Sequence, residues 1–296
     1  YDVPTVTENQ NGATVGTLSA SDPQTGENVT EFVILDDTSG KFEIVGDQLK
    51  LKSGVSLDYE NQNEHQITIK AVGADGASTE QLITVNVADV DETNTITGTE
   101  RNDRLYGEAG QDTIYGNGGN DVINGRGGAD TVYGGDGNDT IYADSQDVVF
   151  GGDGRDRVIA QGTDGISIDM AASSVERVDG GAGGDKIDAS GMKDRVVQVG
   201  NGGDDTLVGG AGNDYLRGDE GNDYLIGGDG NDTLIGGEGA DALSGGDGND
   251  TLYVDGSDKI DGGAGTDRVI VQDDDGVKID MAASSVERVD GGAGGD

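Results

Sequence analysis

Aspartate recurs every nine residues through much of this chain: Asp103, Asp112, Asp121, Asp130 and Asp139, then Asp205, Asp214, Asp223, Asp232, Asp241 and Asp250. Each stands sixth in the pattern Gly-Gly-x-Gly-x-Asp-x-U-x, with U apolar. Gly134-Gly135-Asp136-Gly137-Asn138-Asp139-Thr140-Ile141-Tyr142 is a full copy. Asp156, Asp185, Asp267 and Asp296 hold the same place in further copies. The glycines permit a tight turn with positive φ, and residues seven to nine read as a short strand with U inward. Two such repeats make one coil, and coils stack about 4.8 Å apart. Stacking aligns the aspartates in a column along each edge. Carboxylates at that spacing repel by roughly 1 kcal/mol in water and several-fold more in a drier site. Folding then requires a cation. Calcium fits: it is a hard ion that takes six to eight oxygens, carboxylates and backbone carbonyls included. Zinc would want His or Cys, and the chain has one His and no Cys. Several calcium ions are expected. Solvent-facing aspartates on plain turns are the simpler alternative, but they do not require an in-register apolar U.

The repeats must be held by a scaffold, and the chain supplies two kinds. Residues 1–95 hold 8 of the 56 glycines and carry alternating apolar runs such as Gln66-Ile67-Thr68-Ile69-Lys70-Ala71-Val72. Such alternation reads as half-buried strands, and several in one stretch suggest a β-sandwich. Beyond it the repeats predict a parallel roll whose inward column is Leu105, Ile114, Ile123, Val132 and Ile141, then Leu207, Leu216, Leu225, Leu234, Leu243 and Leu252. The fold class expected is all-β, a sandwich followed by β-roll blocks. Eight-residue variants stand at 143–150 and 254–261. A longer period is also present. Residues 151–185 align with 262–296 at an offset of 111, and 7 of 35 positions differ. The domains expected are therefore 1–95, a roll unit at 96–185, connecting coils at 186–208, and a second unit at 209–296. Segments 160–179 and 271–290 fall outside the nonapeptide and are read as wider, irregular coils. Their Ala-Ala-Ser-Ser-Val-Glu-Arg-Val half could be a helical turn or a further strand.

Composition narrows the partners. The formal charge is −41, which disfavours nucleic acid and anionic membrane because both repel carboxylates. No apolar run approaches the roughly 18 residues of a membrane span. Without Cys there are no disulfides, so metal is the expected staple. The abrupt ends suggest a segment of something larger. No nucleophile–His–acid set, phosphate loop or His-Glu-x-x-His motif occurs, so no enzyme activity is expected. His65 has no companion ligands and reads as a surface residue. Tyr106, Tyr115, Tyr133 and Tyr142 share the ninth repeat position and are expected to stack on the roll rather than bind glycan.

Residues 98–159 and 200–270 resemble the repeats-in-toxin (RTX) family of calcium-binding repeats. The resemblance implies a bacterial protein exported by type I secretion, unfolded in calcium-poor cytoplasm and folding on calcium outside. It implies as calcium ligands Asp103, Asp112, Asp121, Asp130, Asp139, Asp156, Asp185, Asp205, Asp214, Asp223, Asp232, Asp241, Asp250, Asp267 and Asp296. Residues 1–95 resemble a cadherin repeat through Val6-Thr7-Glu8-Asn9, Ala20-Ser21-Asp22, Leu57-Asp58-Tyr59-Glu60 and Asp89-Val90-Asp91-Glu92. This implies a second calcium site, built from Glu8, Asp58, Glu60, Asp89 and Glu92. Tyr59 stands where that family has Arg, and Glu92 where it has Asp. Together these resemblances imply a calcium-stiffened adhesive segment at a bacterial cell surface, its partners calcium and another cell surface or a like chain. The alternatives are the non-catalytic secretion module of a secreted enzyme and a surface-layer protein.

Overall fold

A computed structural model describes residues 4–21, 26, 28–29, 31–59, 61–88, 90, 93–272, 281 and 284–291. The chain divides into two compact units, Tyr1–Val90 and Asp91–Asp296.

Among its described residues the first unit has seven strands: β1 (Thr5–Thr7), β2 (Thr14–Thr17), β3 (Glu31–Asp37), β4 (Phe42–Val45), β5 (Gln48–Leu51), β6 (Glu64–Val72) and β7 (Ser78–Ala88). One sheet runs β1-β7-β6-β3 and the other β2-β5-β4. β1 lies parallel to β7, and the other pairs are antiparallel. Alternation along β6 and β7 turns Ile67, Ile69, Val85 and Val87 inward. They meet Val6, Phe42, Leu49, Leu51 and Leu57 in one apolar core.

His65 belongs to that inward row, two residues before Ile67. It is not a surface residue but 1% exposed. Its ring meets Phe42 edge-on at 5.7 Å, and neither ring nitrogen has a hydrogen-bond partner. The strand's period of two decides this, since one face takes every second residue whatever its polarity. Burial holds the imidazole pKa below 6.5, helped by the charge of Lys41 and opposed by Asp37. The folded state therefore prefers the neutral ring. Its contribution to stability is present above about pH 6.5 and declines as pH falls below that value, where the unfolded chain protonates first. As the chain has a single histidine, its imidazole NMR signal reports directly. The expected titration midpoint lies below 6.5; a free-solution midpoint would contradict burial.

The second unit is a parallel solenoid. Registers set the coil length: Ile114 pairs with Val132 and Leu216 with Leu234, eighteen residues apart. Where an eight-residue variant intervenes the step shortens to seventeen, as Val132 with Val149. Consecutive repeats fall on opposite faces. One face is an eleven-stranded sheet from Arg104–Tyr106 to Arg288–Asp290. At about 4.8 Å per strand it extends roughly 50 Å. The other face is split into a four-stranded sheet ending at Val148–Asp153 and a six-stranded sheet starting at Ser167–Asp169. The U residues fill the space between, and from Ile114 to Val269 they form one continuous core. Leu105, near the solenoid's start, is only partly buried against it. Residues 186–208 supply three strands of these same sheets.

The split in the second face has a local cause. Residues 160–179 form a wider coil, so Val158 pairs with Val178, twenty residues on. This segment contains both a strand, Ser167–Asp169, and a helical turn, α1 (Met170–Ser173). Asp169 caps α1, accepting from the Ala172 N–H. Ser174 ends it in the left-handed region, and strand Arg177–Asp179 follows. Helical turn and strand, left open by the sequence, are thus both present. Asp179 takes hydrogen bonds from Arg157 and Arg177, locking the wide coil to its neighbour. Asp290 makes the same bridge with Arg268 and Arg288 in the second unit.

The ninth-position tyrosines do not form one ladder, because alternate repeats face opposite ways. Tyr115, Tyr133 and Phe150 stack on one face at 5.0 Å between rings. Tyr106 lies on the other face, under the Arg126 guanidinium.

Candidate metal centre

The sixth-position aspartates line the two edges of the solenoid, and from Asp112 to Asp267 each is tied to the coil before it. Asp121 Oδ1 accepts from the Asp103 N–H, Asp139 Oδ1 from Asp121 and Asp156 Oδ1 from Asp139. On the opposite edge Asp130 Oδ1 accepts from Asp112, Asp205 from Asp185, and Asp223 from Asp205. Asp232, Asp241, Asp250 and Asp267 continue the pattern. Every one of these receiving aspartates is buried.

Their second oxygens are different. Oδ2 of Asp121, Asp130, Asp139, Asp156, Asp205, Asp223, Asp232, Asp241, Asp250 and Asp267 is buried with no hydrogen-bond partner. A buried acceptor left unpaired costs about 1–3 kcal/mol. Burial is the main cause that raises the pKa of these groups, with neighbouring carboxylates adding to it against the backbone N–H bonds. Asp205 and Asp232 are pushed up to about 7, Asp156 and Asp250 to about 6. The unpaired oxygens are also aimed at a common kind of space. At Gly116 a Cβ would meet Asp121 Oδ2 at 2.5 Å and the Gly134 carbonyl of the next coil. Gly134, Gly227 and Gly245 lie in the same way between Asp139, Asp232 and Asp250 and a carbonyl of the following coil. Glycine thus keeps open a niche walled by carboxylate and carbonyl oxygens. Among the described residues no three acidic or His side chains converge on one point, so backbone carbonyls must supply much of any coordination. That donor set suits calcium.

Sequence comparison agrees with this geometry. The model of the RTX calcium-binding nonapeptide repeat (4 copies) matches in overlapping segments across residues 90–164 and 199–276, more than half of the chain. The chain belongs to the RTX calcium-binding repeat family. Its first unit matches the cadherin domain over residues 3–88. No curated protein matches the chain.

The RTX columns contain acids that the nonapeptide pattern misses. Asp147 Oδ1 accepts from the Asp130 N–H and Asp258 Oδ1 from Asp241. Both stand in eight-residue variants. A step of seventeen from Asp130 and Asp241, followed by a strand, was the available signal. Glu176 Oε2 accepts from the Asp156 N–H, and Glu287 Oε2 from Asp267. These glutamates lie in the wide coils, and the longer side chain takes an aspartate's place in the RTX column. No local pattern marks them. Acids at the third position, such as Asp136, Asp229 and Asp247, stay exposed.

In the cadherin domain, Glu8 is 2% exposed. Its Oε2 accepts from the Tyr59 N–H and its Oε1 from the Val90 N–H, each at 2.7 Å. One carboxylate thereby joins the Asp58-bearing loop to the segment after β7. Asp58 is exposed and accepts from the Asn61 N–H. Glu60, Asp89, Glu92 and the RTX-position Asp296 lie outside the described residues. Glu8→Ala leaves two N–H groups unpaired and is expected to destabilise the cadherin domain by about 1–3 kcal/mol. A lowered melting transition of that domain, with the solenoid's unchanged, is the expected calorimetric result.

Proposed function

We propose that this chain is a calcium-stiffened structural segment of an extracellular protein, with several calcium ions along the solenoid edges. The observation that supports it is the array of buried, unpartnered Asp Oδ2 atoms at one-coil intervals. When bound, calcium supplies the counter-charge that lets these carboxylates stay ionised while buried. The ligands proposed are these aspartates with the facing glycine carbonyls, and Asp58 in the cadherin domain, where both Glu8 oxygens are already taken by backbone N–H groups. Extracellular fluid holds calcium at the concentration such sites need, on the order of 10⁻⁴ to 10⁻³ M for extracellular modules. A cadherin domain followed along the chain by a solenoid fits a spacer that presents adhesive modules. The proposed partner is a like chain or another cell surface, with no catalytic role for the segment itself.

Beads coated with the chain test the adhesive part. Aggregation in calcium that chelator reverses supports contact between like chains. Equal dispersion with and without calcium removes that partner and leaves the structural role standing on calcium binding alone.

A further inference from the structure

Among the described residues the sixth-position aspartates of the repeat exist in two states. Ten have the buried, unpartnered Oδ2 described above. Four have Oδ2 held by the backbone N–H of the residue four positions earlier: Asp103 by Thr99, Asp112 by Glu108, Asp185 by Gly181 and Asp214 by Gly210. That donor is the second residue of the repeat, and its backbone separates the same two groups. Ahead of each of the ten unpartnered aspartates the second residue has positive φ: Asn117, Arg126, Gly135, Gly152, Asn201, Asp219, Gly228, Gly237, Gly246 and Gly263. Ahead of the four, none does. A change in the sign of φ here turns the peptide between positions one and two. In four turns its N–H caps the carboxylate. In ten it points elsewhere and leaves the oxygen bare.

For the sixth-position aspartates the division follows position in the solenoid, whereas Asp147 and Asp258 of the eight-residue variants follow column aspartates and are capped by the Asp144 and Asp255 N–H groups. Each of the ten stands one coil after another column aspartate. The four have none there. Asp185 Oδ1 accepts from the N–H of Ile166, and Asp214 Oδ1 from that of Val196. Both are buried apolar residues in column positions. Asp112 likewise follows Asn94, and Asp103 begins its column.

Resting on the calcium reading above, we propose that Asp103, Asp112, Asp185 and Asp214 bind no calcium and serve as metal-independent starts of the columns. Calcium loading is then confined to the bare aspartates, in one run through Asp121, Asp130, Asp139 and Asp156 and another through Asp205, Asp223, Asp232, Asp241, Asp250 and Asp267. Ile166 and Val196 separate the runs. Two backbone donors serve each of Asp112, Asp185 and Asp214, and the Thr99 N–H and hydroxyl serve Asp103, so no oxygen that a donor caps is left for an ion.

Native mass spectrometry of the full chain in calcium counts the bound ions. D185N and D214N are expected to keep the wild-type number, while D205N and D232N each lose at least one. Loss in D185N or D214N equal to that in D205N overturns the proposal. A wild-type chain that holds no calcium overturns the calcium reading itself, which is a different result. If an aspartate variant does not fold, two glycines at the second position decide. Gly181 has ordinary φ and room for a methyl group, whereas Gly228 has φ +108° and would press a methyl onto the Gly210 carbonyl. G181A with the full count and G228A with a lowered count support the proposal. Equal counts in the two sink it.

Discussion

In excess chelator the far-UV circular dichroism of this chain loses the solenoid's β signal and retains that of the cadherin domain; millimolar calcium restores it. The size of the effect follows from the bare oxygens. Ten unpaired buried acceptors at about 1–3 kcal/mol each amount to roughly 10–30 kcal/mol. A whole domain is stable by only about 5–15 kcal/mol. Charge repulsion along each column adds to the deficit. A solenoid equally folded in chelator and in calcium would falsify the central reading. Acid offers a second route to the same fold. The folded pKa of Asp205 and Asp232 is pushed up to about 7, and that of Asp147, Asp156, Asp250 and Asp258 to about 6. The unfolded chain titrates near 3.9. Between those values the metal-free folded state binds more protons than the unfolded one, so it gains stability as pH falls and loses it as pH rises through 6 to 7. In chelator, acidification from pH 8 to pH 5 is therefore expected to return part of the β signal.

Gly230→Ala is expected to abolish cooperative folding of the solenoid around it even in saturating calcium. Gly230 is the fourth residue of its repeat and has φ +123°. An L side chain there is strained, by about 1–2 kcal/mol for left-handed backbone alone. The larger cost is steric. The new methyl would overlap the Gly212 carbonyl of the preceding coil, and backbone cannot yield there without opening the Leu216–Leu234 ladder. Gly248 stands against Gly230 in the same way, so the fault spreads to the next coil. Calcium-induced ellipticity falling well below wild type is the expected measurement. As a control, Gly256→Ala, with open space around its Cβ, should fold as wild type.

Much of the architecture was legible because the repeat is local. Nine residues contain the turn, the acid and the inward apolar residue, so Ile114, Leu234 and their equivalents could be assigned to the core without knowing any partner. Spacing alone likewise indicated an oxygen-rich calcium site. Departures began where a residue's role depends on the next coil. Glu176 and Glu287 enter the RTX column only because the wide coil brings them over Asp156 and Asp267. Tyr106 and Tyr142 lie on the sheet opposite the Tyr115–Tyr133–Phe150 stack because alternate repeats face opposite ways. His65 was legible in principle: it shares the parity of Ile67 and Ile69, and polarity was a poorer guide than period.

By itself the sequence determined that aspartates would stack in columns, and it pointed to a cation between them. It could not determine which aspartates have an oxygen to spare. Gly180-Gly181-Ala182-Gly183-Gly184-Asp185 and Gly262-Gly263-Ala264-Gly265-Thr266-Asp267 are near-identical turns. Yet Gly181 caps Asp185, while Gly263 has φ +98° and Asp267 is bare. The coil beneath makes the difference: Ile166 lies under the first and Asp250 under the second. Steps of seventeen to twenty residues select that neighbour, and only the stacked tertiary structure sets which step applies.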